Sequence, residues 1–143
     1  WLPYAYDPFS FVPIDSSVSS LRNSYPGRKI VVYLGGLYQN YGCFEMLEAF
    51  RILAQQRSDF VALILGKGPE KDRAIDFIKK HNLEQWVELK GYVPEAEVPN
   101  FLFGADVLLS PLNDTVTDWA RCPSKLLMYI ATKRPIVTCA IGE

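Results

Sequence analysis

Apolar and polar positions alternate between two periods from residue 29 onward. Lys29 to Leu34 reads Lys-Ile-Val-Val-Tyr-Leu, a β-branched apolar run closed by Gly35-Gly36, and predicts a buried strand. Phe44, Leu47, Phe50 and Leu53, with Ala49 and Ala54 beside them, then repeat at helical spacing as far as Gln56. Val61 to Leu65 predicts a second strand, ended by Gly66-Lys67-Gly68-Pro69. A helix follows from about Lys71 to Lys80, with Ala74, Ile75 and Ile78 facing inward. Val87 to Lys90 is a third, half-exposed strand, and Gly91 opens its exit loop. Pro99 suits the first turn of a short helix ending near Gly104. Asp106 to Ser110 is the fourth strand and Pro111 to Arg121 a polar loop. Pro123 begins the next helix, in which Leu126, Leu127, Ile130 and Ala131 suit the core, and Arg134 to Thr138 is the fifth strand.

Five strands alternating with four helices through short connections predict a parallel sheet covered on both faces, a doubly wound α/β layer. Residues 1–28 hold Pro3, Pro8, Pro13, Pro26 and the serines of Ser16 to Ser20 without a clean period, and read as a hinge or linker segment. The domain proper is then residues 29–143. Ligands of such sheets bind beyond the carboxyl ends of the strands. The loops that matter are therefore 35–42, 66–70, 91–94 and 111–125.

Composition narrows the function. With 143 residues, 49% of them hydrophobic, the chain makes one domain with a real core. Its 15 basic residues against 16 acidic ones give a net charge of -1, which argues against a nucleic-acid binder, since that needs a basic stripe. No apolar run approaches the roughly 20 residues of a membrane span, and Trp1 to Phe11 is too broken by Pro3, Asp7 and Pro8 for a signal peptide. Cys43, Cys122 and Cys139, odd in number and widely spaced, read as reduced thiols of a cytoplasmic protein. The single histidine, His81, follows Lys79-Lys80 and precedes Asn82, as at a helix C-terminus, so no histidine-rich metal site is expected. Trp86 reads as packing, whereas Trp119 is a candidate for stacking on a ligand or partner; Tyr38 and Tyr41 stay open between the two.

The common phosphate motifs are absent. No Lys-Ser/Thr follows Gly42, so this is no P-loop, and Gly66-Lys67-Gly68 lacks the third glycine of a dinucleotide fingerprint. Gly35-Gly36 at a strand end serves either a tight turn or the close approach of an anion to bare backbone N–H groups. The more specific element is Cys122-Pro-Ser-Lys-Leu-Leu-Met-Tyr129. A helix starting near Pro123 turns unpaired N–H groups toward the pocket, with the Ser124 hydroxyl and Lys125 ammonium beside them, and helical spacing puts Lys125, Met128 and Tyr129 on one face.

In order along the chain stand Val31 to Gly36, Tyr41-Gly42, Leu65 to Pro69, Gly91 to Val93, Ala105 to Pro111, Pro123-Ser-Lys125, Tyr129-Ile-Ala and Arg134 to Val137. This order and spacing resembles the carboxyl-terminal, nucleotide-sugar-binding domain of the "group 1" retaining glycosyltransferases, with Trp1 to Asp7 similar to the hinge entering it. The resemblance implies a Rossmann-like sheet forming the C-terminal half of a GT-B enzyme, with a UDP- or GDP-sugar donor held between two domains and transferred with retention, without cofactor or catalytic metal. It implies that Gly35 and Gly36 lie against the diphosphate and that Ser124 and Lys125 help neutralise it. Gly66, Gly68, Tyr92 and Val93 would border the nucleoside.

Several positions depart from the family pattern. Many relatives carry Arg and Lys where this chain has Gly36 and Tyr41, a pairing similar to that of a polysaccharide-assembly branch. Met128 stands where the family places a ribose-binding glutamate, and Ala120 where it places the first glutamate of the same pattern. A thioether is only a weak acceptor. Arg121 and Lys125 together could supply the two missing charges, which makes them the expected charge-stabilising pair of the reaction.

The expectation is the donor-binding domain of a glycosyltransferase of polysaccharide or glycoconjugate assembly, truncated after its fifth strand and inactive alone. Its partners would be the nucleotide-sugar and a missing amino-terminal acceptor domain, with peripheral membrane association at the cytoplasmic face through the missing part. The alternative, favoured by Ala120 and Met128, is a non-catalytic nucleotide-binding or interaction module that has kept the fold.

Overall fold

The structure is a computed structural model that describes residues 11–121 and 123–141. The hinge similarity at Trp1 to Asp7, and Cys122, lie outside the described residues.

The five strands are β1 (Lys29–Leu34), β2 (Phe60–Leu65), β3 (Val87–Gly91), β4 (Val107–Ser110) and β5 (Ile136–Thr138). All neighbours are parallel, in the order β3-β2-β1-β4-β5, with Val31 of β1 opposite Ala62 of β2 on one side and Val107 of β4 on the other. The helices are α1 (Asp15–Asn23), α2 (Cys43–Ala54), α3 (Lys71–Lys80), α4 (Val98–Gly104), α5 (Val116–Trp119) and α6 (Lys125–Ala131). The doubly wound α/β reading therefore holds. Six of β2's six residues are buried, as a strand covered on both faces requires.

Alternate residues of each strand serve two cores. Val31, Tyr33, Phe60, Ala62 and Ile64 pack with α2 and α3 on one side. Ile30, Val32, Val61, Leu63 and Leu108 pack with α4 and Tyr129 on the other. Phe60 lies between Phe50 and Trp86, with ring centroids 6.2 and 6.5 Å away, so Trp86 packs as expected. His81 caps the C-terminus of α3, followed by Asn82 at φ 54°. Its imidazole lies 4.4 Å from the Phe77 ring.

Three expectations need correction. Residues 15–23, read from sequence as linker, form α1, which packs on α4. The Ile14 N–H donates to the buried Asn100 Oδ1 at 2.7 Å, and Arg22 pairs with Asp106 at 2.5 Å. Serine-rich helices of this length do not stand alone, so tertiary contacts create this one. Within the 111–121 segment, read as a polar loop, Val116–Trp119 form α5, capped by Thr115, whose hydroxyl accepts the Asp118 N–H at 3.2 Å. On α6 two residues differ from expectation, Tyr129 being fully buried and Ile130 63% exposed, while Leu126 packs against the core as expected.

Candidate anion site at the switch point

The sheet order reverses direction between β1 and β4, and a doubly wound sheet opens its crevice there. Tyr129 braces this point. Its hydroxyl donates to the Leu109 carbonyl at 3.0 Å and accepts the Leu34 N–H at 2.9 Å, tying α6 to the ends of both strands. Beyond those ends lies a cavity of about 430 Å3 lined by Leu34, Gly35, Tyr41, Pro111, Leu112, Arg121, Pro123, Ser124, Lys125 and Met128.

Two cations stand in its wall, each against a tyrosine. The Lys125 ammonium is 4.3 Å from the centre of the Tyr33 ring, and the Arg121 guanidinium 4.3 Å from that of Tyr41. Among the described residues the Lys125 ammonium has no carboxylate or hydrogen-bond partner. Burial, and secondarily the charge of Arg121, pulls its pKa down to about 8. A largely buried cation without a counter-charge among the described residues is poised to accept an anion. Arg121 pairs instead with Asp118, 2.9 Å away.

Gly35 leaves room for that ammonium. A methyl group there would sit 2.7 Å from the Tyr33 hydroxyl and 3.3 Å from Lys125 Nζ. The loop is held by its neighbour: the Gly35 N–H donates to the Leu65 carbonyl at 2.9 Å and the Leu37 N–H to that of Lys67 at 3.0 Å. Side chains at Gly66 and Gly68 would strike the Gly35 and Leu37 carbonyls at 1.9 and 2.1 Å. Those two glycines let two strand-end loops pack backbone on backbone.

Gly35, Arg121, Ser124, Lys125 and Met128 thus line one cavity, while Gly36, Gly66, Gly68, Tyr92 and Val93 are outside its lining. A side chain at Gly36 would meet the Tyr38 ring, Val93 packs into the core beside α4, and Tyr92 is 65% exposed with Lys67 5.1 Å from its ring. Trp119 is half exposed and donates from Nε1 to Asp114 at 2.7 Å. Sequence reasoning missed Tyr33 and Asp118. Tyr33 reads as one more apolar residue of β1, and Asp118 as one more polar residue of a loop. Among the described residues no group of three His, Cys, Asp or Glu side chains is placed to hold a metal ion. None of the helices formed by the described residues is long and apolar enough to cross a membrane.

A doubly wound α/β domain with a cationic crevice at its switch point defines a class, and comparison with known proteins narrows it. The profile of the family described as Glycosyl transferases group 1 matches residues 20–142, and the chain belongs to that family. The WcaL protein of Salmonella typhimurium, named as a colanic acid biosynthesis glycosyltransferase, is 32% identical over 115 residues, which are 79% of this chain and 28% of that protein. The amylovoran biosynthesis glycosyltransferase AmsK of Erwinia amylovora is 30% identical over 109 residues, 76% of this chain and 27% of its own length. The chain thus spans little more than a quarter of these relatives. Among solved structures, Anabaena HepE with UDP-glucose superposes with a TM-score of 0.79 at 18% identity, over 96% of this chain and 37% of that one. The C-terminal domain of the group 1 protein LpcC from Francisella tularensis gives 0.73 at 17% identity, over 94% of this chain and 70% of that one. At these identities the likeness concerns the fold.

Proposed function

We propose that this chain is the donor-binding, carboxyl-terminal domain of a retaining GT-B glycosyltransferase acting in polysaccharide or glycoconjugate assembly. One observation carries the reading: the Lys125 ammonium lies against Tyr33 without a counter-charge, in the switch-point cavity it shares with Arg121. The diphosphate of a UDP- or GDP-sugar supplies the missing negative charge. During transfer, charge grows on the departing nucleoside diphosphate, and two cations held in the crevice stabilise it most at that moment. Gly35 admits the phosphates close to the backbone, and Ser124 adds a hydroxyl at the cavity rim. Gly66 and Gly68 serve the site by seating the backbone of residues 35–37, and the exposed chain at Tyr92, beyond the cavity lining, is the side on which the nucleoside would lie. No cofactor enters this scheme. The acceptor is held by the remainder of the protein, at the cytoplasmic face of a membrane, and the isolated chain binds without turning over.

HepE, solved with UDP-glucose, and WcaL and AmsK, named for polysaccharide biosynthesis, support the donor class and the setting. A second reading, a module that keeps the fold without catalysis, is favoured by Met128, since a thioether lines the cavity where a ribose-binding carboxylate is expected. Titration of the chain with UDP and GDP, with Lys125→Ala as control, tests the donor site. Sugar transfer by the full-length protein then separates the two readings.

A further inference from the structure

We propose that Asp118 is the positioning residue for Arg121, fixing its guanidinium at the cavity wall against Tyr41 and so setting the second positive charge met by a bound diphosphate. The inference rests on the donor-site reading above.

Asp118 is 1% exposed, although it belongs to a helix of four residues in a polar segment. A carboxylate buried to that degree requires partners. Its Oδ2 accepts the Asn113 N–H at 2.6 Å, while the buried Oδ1 accepts no hydrogen bond among the described residues and is met by charge alone, 2.9 Å from Arg121 Nη1. The Thr115 hydroxyl fixes its backbone N–H. One oxygen is thus spent on anchoring the carboxylate to the chain, and the other holds the guanidinium beside it by charge. Tyr41 meets the same guanidinium at 4.3 Å, so Arg121 is held from two sides, and its side chain is only 21% exposed. Among the described residues no other carboxylate pairs with it. This restraint matters because Lys125 lines the same cavity and repels it. A long, free arginine would turn into solvent, where it gains rotamer freedom and hydration.

Four proteins test the proposal: wild type, Asp118→Asn, Arg121→Gln and the double variant. Asparagine keeps an acceptor for the Asn113 N–H and loses the charge that directs Arg121. Calorimetry reads UDP affinity, and NMR titration of labelled lysine reads the pKa of Lys125 without ligand. Asp118→Asn is expected to weaken UDP about tenfold with Arg121 present and less than about twofold in the Arg121→Gln background. Arg121→Gln is expected to raise the Lys125 pKa in the wild type and hardly at all in the Asp118→Asn background. Equal effects in both backgrounds overturn the proposal. If none of the proteins binds UDP while the Lys125 cycle remains coupled, the positioning role stands and the donor-site reading falls. Should Asp118→Asn not fold, Thr115→Val, at an exposed site that fixes the Asp118 backbone, replaces it, with the same coupling expected at smaller amplitude.

Discussion

Lys125 is the cation of the crevice without a counter-charge among the described residues, and it is held there at a cost to the fold. An ordinary lysine titrates near 10.4, and this one is pulled down to about 8 by burial first and by Arg121 second. The charged form is therefore worse off in the folded chain than in the unfolded one. Between about pH 8 and 10.4 the unfolded state holds more protons, so this group makes stability rise with pH through that window. Lys125→Met should stabilise the ligand-free chain by roughly 1 to 3 kcal/mol, read as a higher urea midpoint, while weakening diphosphate binding. A diphosphate bound as proposed would need the charged form, and its terminal phosphate, with a pKa of roughly 6, is already ionised. UDP affinity should consequently fall as pH is raised from 7 to 9.5, and Lys125→Arg should flatten that fall. Gly35→Ala places a methyl group between Tyr33 and Lys125 and should weaken binding about tenfold or more in the same titration.

Individual residues join the elements at two points. Tyr129 ties α6 to β1 and β4 through one hydroxyl, so Tyr129→Phe leaves the Leu34 N–H without its acceptor and the Leu109 carbonyl without its donor. A loss of about 1 to 3 kcal/mol in urea unfolding is expected. Asp106 joins α1 to the sheet: its Oδ2 accepts the Ile30 N–H at 2.8 Å and pairs with Arg22 at 2.5 Å. Burial opposes the charged carboxylate, but Arg22, the Ile30 N–H and Lys29 outweigh it and hold the pKa below the ordinary aspartate value. The stability this contributes is complete above about pH 4 and is lost as pH falls through the lowered pKa. Asp106→Asn should cost about 1 to 2 kcal/mol at pH 7 and make acid unfolding shallower, as circular dichroism against pH would show.

Elements with a strong period were legible before the structure. β1, β2 and α3 fall where their apolar runs and flanking glycines place them, because burial on a regular element writes its period into the residues. α1 was not legible. Its helix depends on Leu21 under Gly104 and on Asn100 and Asp106, all more than 75 residues away in sequence. α5 escaped for the same reason, since a four-residue helix carries no period and owes its place to Thr115 and Asp118.

Over the whole molecule, the order of the strands locates the site and the side chains give it its sign. The chain carries a net charge of -1, yet two cations share one crevice where the sheet reverses. Lys125 and Ser124 were legible because a Pro-Ser-Lys run opens a predicted helix after the fourth strand. The cation–tyrosine pairs were not, since Tyr33 and Lys125 come from β1 and α6 and meet only at the carboxyl end of the sheet. Nor could spacing show that Gly66 and Gly68 pack against the backbone of the first loop.

The central claim is that this crevice takes a nucleoside diphosphate through Lys125. Calorimetric titration of the chain with UDP, GDP, ADP and dTDP, repeated with Lys125→Ala, tests it most directly. The account predicts saturable binding of one nucleotide, lost in the variant. A folded chain that binds none of the four, or a variant that binds as well as the wild type, would contradict it.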